Sequence, residues 1–333
     1  MDATFKHSLN TEDIFYLNDD LEQHIQLVKN ITVNTIQYDG WLYLLLIKIE
    51  NMFDNNIDID DKLLWVDCHI YWLYLAPQRS EKWLKVRKGR VTGSVAGYAC
   101  NESEYDTNYN KTAEFSEEKG YTLDDVIKMC MDDIDYDQIL KNEVDLDNTA
   151  KEINGEKQKQ FSNFAINCMK HGNLTEDKIR EWHEKRIQGK VLELPLAVPK
   201  WCIYLGVSID GYIFGGTGIA EYKAPQKMYL KLVQHIQKQQ IFQQQFKNSK
   251  PKTTFNHINI NHLIQMMVGM KVFQKDFCDY VVYDNLKDNQ VFCQKIEWQN
   301  EYWDNKIWPN LKYFIDNNLK PIIPAGYPLI PNQ

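Results

Sequence analysis

Two carboxylates and an ammonium stand at chemically useful spacings in Ser208-Ile209-Asp210-Gly211-Tyr212 and Gly218-Ile219-Ala220-Glu221-Tyr222-Lys223. Side chains of a strand alternate between its faces, so Glu221 and Lys223 share one face while Tyr222 points to the other. Apolar runs predict strands near 201–209 and 212–223, and pairing them as a hairpin sets Asp210 beside that face. Two acids and one ammonium crowded together are costly unless a cation and a substrate organise them. Hard oxygen ligands suit Mg²⁺, and a lysine next to an attacking water suits phosphodiester hydrolysis. The same residues also read as an Asp-Gly turn and a solvated ion pair on an exposed strand.

The elements that must position these groups follow from pattern and punctuation. Residues 78–100 form a basic unit in which Ser80 starts a short helix, Gly89 breaks it, and Thr92 or Ser94 caps the next. A helix N-terminus beside Arg87 and Arg90 suits a phosphate. A helix over 166–188 carries Glu176 shortly after Gly172, with Leu174, Ile179, Trp182 and Ile187 as its apolar side. An apolar helix over 261–272 carries Gln265, and a hairpin follows near 280–283 and 291–296. A terminal helix over 301–314 precedes a proline-rich tail.

Blander roles exist for each group. Glu176 reads equally as a surface carboxylate, Gln265 as a cap for polar atoms, and Arg87 and Arg90 as partners of a neighbouring acidic insert. Trp83 and Trp182 read as core. His171 and His183, about three helical turns apart, read as structural rather than as a metal pair.

The chain has 333 residues and a formal charge of −8, which looks wrong for a DNA-binding protein. The charge is unevenly placed, however. Residues 1–75 hold 4 basic and 13 acidic side chains and residues 101–150 hold 4 and 15, whereas 76–100 hold 6 and 1. The segments carrying the chemistry are basic; the acid lies in a helical N-terminal extension (1–75) and in an insert (101–150) with a helix predicted over 123–139. The extension shows helical spacing at Leu42, Leu45, Leu46 and Ile49 but no chemistry of its own. Seven cysteines without a Cys-x-x-Cys pair point to reduced thiols, and so to a cytosolic or nuclear setting. No apolar run approaches the roughly 20 residues needed to span a bilayer, so no membrane association is expected.

Taken in order, Arg87…Ser94, Gly172-x-x-x-Glu176, Asp210…Glu221-Tyr222-Lys223 and Gln265 resemble the phage-lambda-type exonucleases. These are also called the YqaJ-like viral recombinase family, within the PD-(D/E)xK nucleases. The resemblance covers roughly residues 76–315. It implies an α/β restriction-endonuclease-like core, a central mixed β-sheet flanked by helices, filling a nuclease domain over 76–333. It further implies a Mg²⁺-dependent deoxyribonuclease, with Mn²⁺ able to substitute, acting 5′→3′ on double-stranded ends in recombination, repair or genome processing. Asp210, Glu221 and the Tyr222 backbone carbonyl would hold the metal, Glu176 would complete the acidic cluster, Lys223 would serve the water, and Gln265 would support the centre. Arg87 and Ser94, with Arg90 beside them, would bind the phosphate of a 5′-phosphorylated DNA end. By the same resemblance the partners are DNA, a single-strand annealing protein and copies of the chain, a trimer by analogy. The source would be a large DNA virus, placing the protein in host cytoplasm or nucleus, or in the virion. A structure-specific or nicking endonuclease with this site is the alternative enzyme, and a non-cutting DNA-binding recombination scaffold is the alternative outside enzymes. Met267 departs from the lambda-type pattern, which often has a second glutamine there.

Overall fold

A computed structural model describes residues 36–101, 122–131, 163–223, 258–284 and 290–330. Its frame is one mixed sheet of eight strands. The strands are β1 (Trp65–Asp67), β2 (Tyr71–Tyr74), β3 (Val91–Thr92), β4 (Val191–Pro199), β5 (Leu205–Ile213), β6 (Gly218–Lys223), β7 (Phe277–Asp284) and β8 (Gln290–Glu297). They lie in the order β1-β2-β4-β5-β6-β7-β8, with β3 pairing β5 in parallel off that path. The β6–β7 pair is also parallel and the remaining pairs are antiparallel. This is the α/β core with a central mixed sheet flanked by helices that the motifs led us to expect.

The described helices are α1 (Ile36–Asp54), α2 (Glu81–Arg87), α3 (Gly93–Asn101), α4 (Leu123–Met131), α5 (Asn163–Ile187) and α6 (Ile260–Phe273), followed by a helical segment from Asn300 to Ile322. Helix α6 is apolar nearly all round because it is buried: nine of its residues, from Leu263 to Phe273, are enclosed. Asn259 caps its start by accepting from the Asn261 N–H, and Gln274 ends it in the left-handed conformation at φ 50°. Gln265 is thus a half-buried polar side chain inside a buried run.

Helices α3 and α6 meet at Gly97. A methyl there would stand 2.6 Å from the Asn261 Cα and 2.4 Å from its Oδ1, so backbone rather than a flexible side chain blocks it. We expect Gly97→Ala to cost about 2 kcal/mol by forcing the two helices apart. A denaturation midpoint unchanged from the parent would refute that tight crossing.

The sheet departs from the sequence reading in three places. Strand β4 lies where no strand was expected. The β5–β6 turn falls at Phe214–Thr217, so Asp210 sits inside a strand and not in the turn. The segment expected to be a helical extension contains helix α1 but then adds β1 and β2, and β2 pairs with β4 in the central sheet. The terminal helix also runs on past Phe314 to Ile322. Residues 1–35, most of the acidic insert and the Lys/Gln-rich stretch 226–252 lie outside the described residues.

The extension has a positional task. Asp39 of α1 is buried; its Oδ1 accepts from the Tyr212 hydroxyl at 3.0 Å and its Oδ2 from the Gly215 N–H at 2.6 Å. Gly215 has φ +65°, which favours glycine, so this turn is fixed both by its residue type and by a carboxylate from α1. Lys275 adds bonds to the Tyr212 hydroxyl (3.1 Å) and the Gly216 carbonyl (3.0 Å). The hairpin bearing Asp210 and Glu221 is clamped at its turn.

Candidate active site

Strands β5 and β6 pair through Gly211↔Ala220 and Tyr212↔Ile219, and that pairing goes no further toward the end that bears Asp210 and Glu221. The Tyr222 N–H, free of that ladder, donates instead to Asp210 Oδ2 at 2.8 Å. A carboxylate substituting for a strand partner is how Asp210 is aimed. Glu221 lies beside it and is buried at 2% exposure, with the Lys223 ammonium donating to its Oε1. Tyr222 turns to the opposite face, where its hydroxyl bonds His183 Nδ1 at 3.0 Å; His183 Nε2 is 3.1 Å from Asp279. His183 is therefore structural, pinning α5 to β6 and β7 from behind.

Helix α5 delivers Glu176, whose Oε2 accepts from the Arg79 guanidinium at 2.5 Å. Arg79 also lies 3.7 Å from Glu193, a β4 residue that Arg180 contacts at 3.2 Å. Glu193 was not foreseen. It lies on β4, which carried no strand expectation, and its signal in the sequence is only a Glu two residues into an apolar run.

The electrostatics bind these groups into one site. Burial, reinforced by the Asp210 charge, raises the Glu221 carboxyl, while the Lys223 ammonium pulls it back. Burial lifts Glu193 to about 7 against the two arginines, with Glu176 and Asp210 adding to the rise. Glu176 is raised by burial and then by Asp210, opposed by Arg79. Four carboxylates thus feel one another. Lys223 is held protonated by Glu221 and Asp210 despite its enclosure. His262, enclosed and near the Lys223 charge, is held well below its ordinary value, and its Nδ1 bonds the Tyr280 hydroxyl at 2.9 Å.

Among the described residues, no three Asp, Glu, His or Cys side chains are drawn close enough to cage a metal ion. The donor set nevertheless suits one. It consists of carboxylate oxygens, and among them Glu176, Glu193 and Glu221 are raised first by burial and then by their acidic neighbours, a charge crowding that a divalent cation relieves.

The basic unit is knit together by its own side chains. Ser80 caps α2 by accepting from the Trp83 N–H at 3.3 Å, and Trp83 donates from its indole to Ser208 at 3.0 Å. Arg87 lies over the Trp83 ring at 4.1 Å and reaches Thr92 Oγ1 at 3.3 Å and Ser94 Oγ at 3.5 Å. Gln265 approaches the same helix start, where a methyl at Gly93 would be 3.5 Å from its Cγ.

Arg90 does not join this group. It is 1% exposed, its Nη1 donates to the Val86 and Lys88 carbonyls, and burial presses it down to about 10. The reason is local: Gly206 leaves room over β5 for the arginine stem, which would lie 3.3 Å from a methyl there. Thr92, not Arg90, completes the cluster with Arg87 and Ser94.

The sheet, the flanking helices and the Asp…Glu-x-Lys side chains together define the PD-(D/E)xK nuclease class. A family model described as the YqaJ-like viral recombinase domain matches residues 82–251, and the chain belongs to that family of lambda-exonuclease-type nucleases. The matched span holds Arg87, Ser94, Glu176, Glu193, Asp210, Glu221 and Lys223, while Arg79 and Gln265 lie outside it. No curated protein matches the chain. Among solved structures, the alkaline exonuclease LHK-Exo from Laribacter hongkongensis is 21% identical, covering 71% of this chain and 91% of its own, with a TM-score of 0.42. The same enzyme in complex with dAMP gives 22% identity, the same two coverages and a TM-score of 0.42. A phage-related exonuclease from Haemophilus somnus 129PT is 10% identical over 70% of this chain and 96% of its own, with a TM-score of 0.35. Among the described residues, no helix is long and apolar enough to cross a membrane.

Proposed function

We propose that this protein is a Mg²⁺-dependent exodeoxyribonuclease, with Mn²⁺ able to substitute, that degrades duplex DNA 5′→3′ from a phosphorylated end. The observation that carries this is Asp210, buried Glu221 and Lys223 gathered where β5 and β6 part, with Arg87, Thr92 and Ser94 grouped at the start of α3. When bound, the cation supplies Lewis acidity and charge for the transferring phosphoryl group. Asp210, Glu221 and the Tyr222 carbonyl would hold it, and Glu176 would extend the anionic site. The Lys223 ammonium, fixed on Glu221, orients the attacking water and offsets charge on the phosphorus oxygens. Gln265 and the Thr92–Ser94 hydroxyls set the terminal nucleotide, and Arg87 forks onto its phosphate. A trimer and a single-strand annealing partner remain proposals by family analogy alone.

End-labelled linear duplex compared with covalently closed circles tests the mode. Progressive loss of the linear DNA with circles intact is expected; cut circles would favour the nicking endonuclease. Binding without any cleavage in Mg²⁺ or Mn²⁺ would favour the scaffold.

Arg87 offers a sharper test of the end grip. Arg87→Ala should slow digestion of 5′-phosphorylated ends roughly tenfold, about 1.4 kcal/mol for a charge-assisted contact, with a much smaller effect on 5′-hydroxyl ends. Equal loss on both ends would remove Arg87 from phosphate binding.

A further inference from the structure

The loop before α2 spends two residues on fixing the arginine between them. Gln78 Nε2 donates to the Leu194 carbonyl at 2.8 Å and the Ile209 carbonyl at 3.3 Å, bridging β4 and β5 where their register slips. Ser80 donates to the Pro77 carbonyl at 2.7 Å and caps α2. Between them Arg79 adopts φ +70°, a conformation that is strained for a non-glycine residue and needs support from its surroundings. The guanidinium lands between Glu176 (2.5 Å) and Glu193 (3.7 Å), and its side chain keeps 39% exposure. Asp210 lies near enough to reinforce its charge.

We propose that Arg79 is the resident counter-cation of the acidic site, a positioning residue that holds Glu176 and Glu193 while no metal is bound and competes with the divalent cation for that charge. The inference rests on the nuclease reading above, which supplies the cation. Three features favour it over a plain structural ion pair. The arginine bridges two acids from different elements, α5 and β4. Its backbone is locked by its two neighbours, whereas its head group stays half open to solvent. The carboxylate it grips most closely, Glu176, is the α5 acid that the metal site calls for. A monovalent cation parked there keeps the carboxylates from repelling one another apart before loading. Once a divalent cation arrives, the guanidinium is free to turn toward the DNA backbone, for which its exposure leaves room.

A role as competitor predicts a gain that a damaged fold would not produce. In calorimetric titration of the DNA-free protein, Arg79→Met should bind Mn²⁺ roughly fivefold more tightly than the parent, a modest factor because the pair is partly solvated. Single-turnover cleavage should fall at saturating Mn²⁺, since no guanidinium is then left to turn toward the DNA backbone. Arg79→Lys keeps the charge and should restore the parent Mn²⁺ affinity. Equal or weaker Mn²⁺ binding by Arg79→Met, with Asp210→Asn still abolishing binding, would overturn the proposal and leave the nuclease reading standing. If the parent binds no Mn²⁺ in the presence or absence of duplex DNA, the nuclease reading fails, and this inference with it.

Discussion

Asp210→Asn is expected to lower divalent-cation-dependent cleavage of duplex DNA at least ~10³-fold, the scale of losing a principal electrostatic group at a reacting phosphoryl centre. The substitution is nearly isosteric, and an asparagine Oδ1 can still accept from the Tyr222 N–H, which Asp210 meets at 2.8 Å. The strands should therefore stay in place while the negative charge is lost. Lys223→Ala should fall comparably, but for a different reason. It removes the ammonium that meets Glu221 and leaves a 2%-exposed carboxylate without its counter-charge, so its melting temperature must be measured beside its rate. Duplex binding, followed by fluorescence anisotropy, should survive in both variants because Arg87, Thr92 and Ser94 are untouched. Parent-level cleavage by either variant would sink the site assignment.

The sequence made this site legible because its spacing is local. Glu221 and Lys223 share a face through the two-residue period of one strand, and the order of Arg87, Glu176, Asp210 and Gln265 survives any error in element boundaries. What was not legible depends on which strand lies beside which. Glu193 enters the site only because β4 neighbours β5, and Arg79 reaches it only because Gln78 ties the preceding loop to both strands. The Gln78 bonds span more than a hundred residues of chain, and no window of sequence contains them. Arg90 shows the opposite failure. An arginine three residues from Arg87 looks like a second phosphate contact, yet the space left by Gly206 draws it inward. Residues 65–75, expected with the helical extension, carry two strands of the central sheet, because Tyr71–Tyr74 alternates too briefly for its period to stand out.

Crowded carboxylates should also make the metal-free protein less stable as the pH rises from about 6.5 to 8. Glu193 (about 7) and Glu221 both have folded-state values above their ordinary 4.5. A carboxyl raised on folding contributes stability that is complete below its unfolded value and is lost as the pH rises through its folded value. In this window the folded state binds more protons than the unfolded chain, so the unfolding free energy must fall. His262, held below 6.5, works in the other direction, but its contribution is already complete above that pH. The expected loss is about 2 kcal/mol in chelator, since each proton linked to unfolding shifts stability by about 1.4 kcal/mol per pH unit. Divalent cation should reverse the slope, because a loaded site favours ionised carboxylates and ligand binding to the folded state adds stability of its own. Thermal melts at pH 6.5 and 8, in EDTA and in Mn²⁺, separate the two effects. A melting temperature in EDTA that climbs across this window would mean that Glu193 and Glu221 carry no excess charge to relieve, and the argument that the site is built around a cation would lose its electrostatic basis.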